Sequence, residues 1–311
     1  MTTNIALVGI GKIAIDQHIP AIMASPDWEL AATVSRNNTV KDVENYTDMD
    51  AMLKQRPDIP VVSLSIPPAP RYEYAKSAIA AGRHVMLEKP PGASLSEVQI
   101  LQDLANDAGI SLYATWHSRE AADVAAAKQW LSDKKLHDLT ITWKEDVRRW
   151  HPGQEWIWQP AGMGVFDPGI NALSIVTEIL PDPIHLRSAN LVIPKNKQTP
   201  IAADLDFSHP SGATVRAEFD FRQPEEQIWE IKATTDAGVM RLIDGGAKLF
   251  VDDERLSIKH TNPLSGEYPR LYQNMFQLIA NSASDVDLRP MTLILDAFTL
   301  GNREMTDAFI E

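Results

Sequence analysis

The sequence contains no cysteine. Disulfides, thiolate catalysis and Cys-based metal sites are therefore excluded, and the composition fits a reducing compartment. A basic excess is also missing: the formal net charge is −13, with Asp and Glu spread along the chain. A nucleic-acid partner needs a concentrated basic face and is not expected. No apolar run is long enough to span a bilayer. The N-terminus has neither a basic n-region nor a long apolar h-region, so no secretory signal is expected. Internal repeats and low-complexity stretches are absent. The expectation is a soluble, cytoplasmic protein without membrane or nucleic-acid partners. What the chain does have is apolar mass. Apolar residues make up 44% of the 311 positions, enough for real cores and, at this length, for two domains.

The stretch from Ile5 to Ala24 organises the first half. Ile5-Ala6-Leu7-Val8 reads as a buried parallel strand. Gly9-Ile10-Gly11-Lys12-Ile13-Ala14 then matches G-x-G-x-x-[GA]. Gly9 makes the turn, Gly11 lets a pyrophosphate approach, and small Ala14 lets helix and strand pack closely. The helix start presents N–H groups and partial positive charge to phosphates. Alone, such a motif also describes a plain glycine turn; directly after an N-terminal strand it points to a dinucleotide.

Strand and helix patterns alternate onward to about residue 115. Strands are expected at Leu30–Val34, Val61–Ile66, His84–Glu88 and Ser111–Thr115. Helices are expected over Ala14–Ala24, Asp48–Lys54 with Asp48 as N-cap, Tyr72–Ala81 and Ser94–Ala108. Gly82 and Gly109 would close the last two. Such units build a parallel sheet covered on both faces, and ligands bind beyond the carboxyl ends of its strands. The loop after the second strand carries Ser35-Arg36-Asn37 and no carboxylate. Arg36 can pair with a 2′-phosphate, assisted by Ser35, which favours NADP over NAD; NAD stays possible. The third strand runs out through Ser65 into Ile66-Pro67-Pro68, and the fourth into Glu88-Lys89-Pro90-Pro91. Lys89 can hold a substrate hydroxyl or lose a proton when desolvated, or it is simply a loop charge. Lys89-Pro90 is a candidate cis bond.

These residues resemble the glucose–fructose oxidoreductase / inositol dehydrogenase (Gfo/Idh/MocA) family. The glycine motif, Ile66-Pro67-Pro68 and above all Glu88-Lys89-Pro90 carry the resemblance, which extends over essentially the whole chain. Within the family, Ser35-Arg36 and the segment Trp143 to Asn171 look most like bacterial aldose 1-dehydrogenases acting on L-arabinose or D-galactose. The resemblance implies an α/β Rossmann domain at 1–118. An α+β substrate-binding and oligomerisation domain with a predominantly antiparallel open sheet follows at 119–311. It implies a coenzyme set of Gly9, Ile10, Gly11, Lys12, Ile13, Ser35, Arg36, Ser65, Ile66, Pro67, Glu88, Lys89 and Trp116. Trp116 and His117 would also wall a sugar-facing loop, and Lys89 and Asp167 are the implied catalytic pair.

The second half changes pattern. Strands are expected at Leu139–Glu145, Ile184–Val192, Ala202–Ser208, Ala213–Phe221, Gln227–Thr235, Val239–Ile243 and Lys248–Val251. Helices are expected over Ala121–Leu131, Val165–Leu180, Pro269–Asn281 and Arg289–Phe309. An antiparallel sheet can keep one wet face, a reasonable place for dimer contacts; the resemblance implies a homodimer or tetramer. Glu145, Trp150, His151, Trp156, Trp158, Asp167 and Asn171 cluster in sequence. Asp167 and Asn171 share one helical face and could grip adjacent sugar hydroxyls. The family usually has His where this chain has Asn171, and Asn is no general base. The base role then falls to Asp167 or Lys89, with Glu145, His151 and Asn171 holding other hydroxyls. Trp150 or Trp229 could stack on a sugar ring. Each of these residues also has an ordinary structural reading, in which the tryptophans are core and Asp167 is a first-turn acid. No spacing calls for a metal, and hydride transfer needs none. Two rivals remain: oxidation of an inositol or another sugar position, and a non-catalytic sugar or cofactor sensor on the same fold.

Overall fold

The computed structural model describes residues 2–256 and 266–310. The chain divides into two compact units: Met1–His117 with Leu264–Asp287, and Ser118–Pro263 with Leu288–Glu311. The expected second domain, 119–311, is therefore interrupted, because a late segment belongs to the first unit.

In the first unit, β1 (Thr3–Val8), β2 (Trp28–Val34), β3 (Glu44–Tyr46), β4 (Val61–Leu64), β5 (His84–Leu87) and β6 (Leu112–Ala114) pair in parallel. Their order is β3-β2-β1-β4-β5-β6, the doubly wound arrangement of a Rossmann domain. β3, Glu-Asn-Tyr, is too short and polar to signal in the sequence. The helix expected from Tyr72 begins earlier, at Pro68, because proline suits a first helical turn; the helices after Asp48 and Ser94 form where expected, and these two residues cap them by accepting backbone N–H bonds. The first helix also differs. Ala14–His18 is a π turn that leads into the helix Ile19–Ala24. Pro20 has no N–H to continue regular bonding there.

Both faces of this sheet are covered, which explains the interrupted second domain. One face packs on Met52, Ile79, Leu101 and Ala105, from helices that lie between the strands in sequence. The other packs Ile5, Val61 and Met86 against Ile22 and against Tyr268, Leu271, Tyr272 and Met275 of the helix Glu267–Ala280. Burying each such side chain is worth about 1.5–3 kcal/mol, so the sheet needs this late helix. The segment after it continues beside β6, with Ala114 N donating to Asp285 O and Asp285 N to Leu112 O.

In the second unit, β7 (Leu136–Lys144), β8 (His185–Pro194), β9 (Ala202–Ser208), β10 (Thr214–Asp220), β11 (Ile228–Thr235), β12 (Gly238–Ile243), β13 (Lys248–Val251), β14 (Glu254–Arg255) and β15 (Asn302–Thr306) form one sheet. Its order is β14-β13-β12-β11-β7-β10-β9-β8-β15. It is mostly antiparallel, with β7–β10 and β8–β15 parallel. Alternation assigns Leu139, Ile141, Trp143, Ala217 and Phe219 to a buried face. The opposite face carries the ion pairs Lys144–Glu218, Arg216–Asp206 and Arg241–Glu230. The helix Phe166–Ile179 sits close on the buried face: a Cβ on Gly169 would lie 3.3 Å from the Phe219 ring. The helix expected over Arg289–Phe309 stops at Leu300. At Gly301, a Cβ would lie 2.4 Å from Ala297 O, and the chain leaves to pair with β8 as β15. Among the described residues, no helix is long and apolar enough to cross a membrane.

Candidate active site

β1 opens into the glycine turn where the strand order reverses, between β1 and β4. Gly9 has φ +91°, and a Cβ there would lie 2.7 Å from Ile66 Cγ2; only glycine fits. Gly11 faces open space, with nothing within 4 Å of where a Cβ would be. That opening lets a pyrophosphate reach the backbone. Among the described residues no side chain caps the turn beginning at Ala14; Ile15 N donates to Gly11 O at 3.1 Å, and no capping side chain competes with an anion there. Across the turn, Ser65 Oγ is buried without a hydrogen-bond partner among the described residues. These features fit a dinucleotide. Ile10 is buried, Lys12 pairs with Asp16, and Ile13 and Pro67 are exposed.

After β2, Ser35 Oγ accepts from Asn37 N and Asn38 N at 3.4 and 3.2 Å, shaping a tight loop. Arg36 stands exposed on it. Asn38 Nδ2 donates to Ile10 O at 2.7 Å and ties this loop to the glycine turn. Nothing in the sequence singles out Asn38, one amide in a polar run.

After β5, Lys89 is half-buried and its bond to Pro90 is cis, as expected. The Glu88 carboxylate is buried inside the unit, 5% exposed. Oε1 accepts from the Tyr268 hydroxyl, and Oε2 accepts from Lys89 N. His18 Nε2 lies 3.5 Å from Oε1. Burial pushes the Glu88 carboxyl up, but the His18 bond and charge, the His117 charge and the Tyr268 bond outweigh it. The group is held well below the usual carboxylate range. Buried Arg71 donates to the carbonyls of Ile66, Glu88 and Pro90. It clamps the loops after β4 and β5 together.

Trp116 and His117 depart from expectation. Trp116 is 3% exposed, and its indole N–H donates to Asp287 O at 2.9 Å. His117 Nδ1 lies 2.5 Å from Glu267 Oε2, and its ring stacks on Tyr268 at 5.5 Å. Burial lowers the His117 pKa, but the Glu267 charge and bond raise it further, so the net shift is upward. Both residues are tied into the interior of their unit by a segment that sequence order gives no reason to bring there.

In the second unit, Glu145 follows β7 directly and is 3% exposed. Asp146 caps the short helix Val147–Trp150, which turns the chain back and delivers His151. Gly164, at φ +56°, fits against Pro200 O only without a Cβ, and it sets the start of the helix that buries Asp167. The side chains meet. His151 Nε2 lies 3.1 Å from Glu145 Oε1, and His151 Nδ1 lies 3.7 Å from Asp167 Oδ2. Trp229 Nε1 donates to Glu145 Oε2 at 2.9 Å. The Trp150 and Trp143 rings lie 5.0 and 5.9 Å from that of Trp229. Asn171 follows one helical turn after Asp167 and is half-buried. An imidazole between two carboxylates can hold a proton or pass it along. The residues were visible in the sequence; their linkage was not, because they come from separate elements.

The profile described as "Oxidoreductase family, NAD-binding Rossmann fold" matches residues 3–115. Galactose 1-dehydrogenase of Pseudomonas fluorescens is 41% identical over 99% of this chain and 99% of its own. The chain belongs to the Gfo/Idh/MocA oxidoreductase family. Another member of similar sequence is the D-galactose-1-dehydrogenase protein from Rhizobium etli. Its crystal structure is 50% identical, has a TM-score of 0.94, and aligns over 99% of this chain and 98% of that one. The family fold persists at much lower identity. The 3-ketoreductase KijD10 of Actinomadura kijaniata, solved with NADP and TDP-benzene, has a TM-score of 0.81 at 15% identity, over 98% of this chain and 100% of its own.

Proposed function

We propose that this oxidoreductase converts a free aldopyranose, D-galactose or L-arabinose, to its lactone at C1, with NADP preferred over NAD. The observation that carries this reading is the buried Glu145–His151–Asp167 chain, with Trp229 fixed against Glu145. Such a group binds hydroxyls and takes a proton, which a polyhydroxylated substrate losing hydride and proton requires. The similarity to two galactose 1-dehydrogenases over the whole chain supports the same substrate class.

The nicotinamide, when bound, supplies the acceptor for the hydride from C1. Gly9 to Ile13 and Ser65 would hold the pyrophosphate, and Arg36 with Ser35 the 2′-phosphate. The protein's residues do the rest. Lys89 donates to the C1 hydroxyl and favours its ionisation. Asp167 accepts the proton, and His151 offers it an exit steadied by Glu145. Positioned proton transfer of this kind contributes about 10²–10⁴-fold. Asn171 binds a neighbouring hydroxyl as donor and acceptor, and the Trp150–Trp229 pair offers apolar surface to the ring. We further propose a cytoplasmic setting and a homodimer or tetramer formed through the polar face of the second unit's sheet.

Product analysis by NMR tests the reading. The chain with D-galactose and oxidised NADP is expected to yield the lactone, hydrolysing to the aldonic acid. A ring ketone from galactose, or turnover of an inositol alone, would assign the oxidation elsewhere. Sugar binding without turnover would make the protein a sensor.

A further inference from the structure

We propose that Tyr268 is a positioning residue for Lys89, acting through the Glu88 carboxylate. The inference rests on the catalytic role proposed for Lys89. Its ground is one carboxylate with two jobs: the Tyr268 hydroxyl donates to Glu88 Oε1, and the Lys89 N–H donates to Glu88 Oε2. Tyr268 is 3% exposed and Glu88 5%, so neither bond is diluted by water. Arg71 holds the carbonyls on either side of Lys89, those of Glu88 and Pro90. The lysine backbone is thus gripped through its N–H and both flanking carbonyls. Of these holds, the N–H one reaches furthest along the chain, through Glu88 to Tyr268.

The surrounding contacts fix Tyr268 itself. The His117 ring stacks on it at 5.5 Å, and the His18 ring meets it edge-on at 4.8 Å. His18 Nδ1 also lies 2.7 Å from the Tyr272 hydroxyl, one helical turn further along. Glu267, the neighbour of Tyr268, holds His117. The hydroxyl therefore has one orientation, aimed at Glu88. Rotation of Glu88 would release the Lys89 N–H and let the loop shift. Displacements of about 1 Å in a catalytic group can cost on the order of 100-fold in rate.

Tyr268→Phe removes the hydroxyl and keeps the ring and both ring contacts. The expected result is a fall in kcat of about 10- to 100-fold, while the NADP Kd and the melting temperature stay near wild type. An unchanged kcat overturns the proposal. So does a kcat loss that comes only with weakened coenzyme binding or with unfolding, since that is a structural role. If Tyr268→Phe fails to fold, Glu88→Gln is measured in the same way, with the same outcomes.

A second readout does not depend on turnover. Competitive acetylation, read by peptide mass spectrometry, reports the reactivity of the Lys89 amine against the other lysines. Tyr268→Phe is expected to change the Lys89 rate at least threefold and leave exposed Lys54 unchanged. An unaltered Lys89 rate contradicts the proposal. Wild-type protein that turns over no aldose contradicts the proposed function instead, and the labelling result still decides the positioning.

Discussion

Arg36 stands exposed on a loop whose shape comes from Ser35 and whose anchorage comes from Asn38. A charge-assisted bond to a 2′-phosphate is worth about 1.5–3 kcal/mol, or roughly 10- to 150-fold in affinity. Arg36→Ala is therefore expected to weaken NADP by about that factor and NAD by less than threefold, read by calorimetric titration. Equal losses for both coenzymes would contradict the assignment. At this scale the sequence was most informative where a residue type has few uses. Gly9 and Gly11 were legible because a turn and a close approach both demand glycine. The inward turn of the Glu88 carboxylate was not legible, because a carboxylate at a strand end looks the same facing in or out. Its inward partners, His18 and Tyr268, are remote in sequence.

Elements were legible wherever local chemistry sets them. Asp48 and Ser94 announce their helices by capping, and Gly109 ends one in the left-handed region. The errors came where tertiary pairing decides. β3 exists because β2 offers an edge, and β15 because β8 does. Neither has an apolar pattern of its own. Gly164 shows how an element serves the site, because the helix bearing Asp167 and Asn171 starts from its turn. An Ala Cβ at φ +56° would lie 2.2 Å from Pro200 O. Gly164→Ala is expected to destabilise by about 2–4 kcal/mol, seen as a lower urea midpoint at constant m. An unchanged midpoint would mean the turn is not constrained.

On the scale of the whole molecule, the sequence showed two fold types but not that the first is completed from far down the chain. A sheet needing cover on both faces has that cover supplied by Tyr268, Leu271, Tyr272 and Met275. A fragment of residues 1–118 is thus expected to lack a cooperative unfolding transition and to bind an apolar dye. A fragment that unfolds cooperatively would show the late helix to be dispensable. The two buried networks divide in the same way: Glu88, His18, Tyr268 and His117 lie in the first unit, and Glu145, His151 and Asp167 in the second. Oxidation of an aldose at C1, as proposed, delivers one hydride to the nicotinamide per turnover. Its most direct test is the initial rate of nicotinamide reduction, followed by absorbance, with D-galactose and oxidised NADP, for wild type and Lys89→Ala. Steady reduction by the wild type is expected, with stoichiometric lactone, and a loss of at least about 100-fold in the variant. No reduction by folded, coenzyme-bound wild type, or an equal rate in the variant, would contradict it.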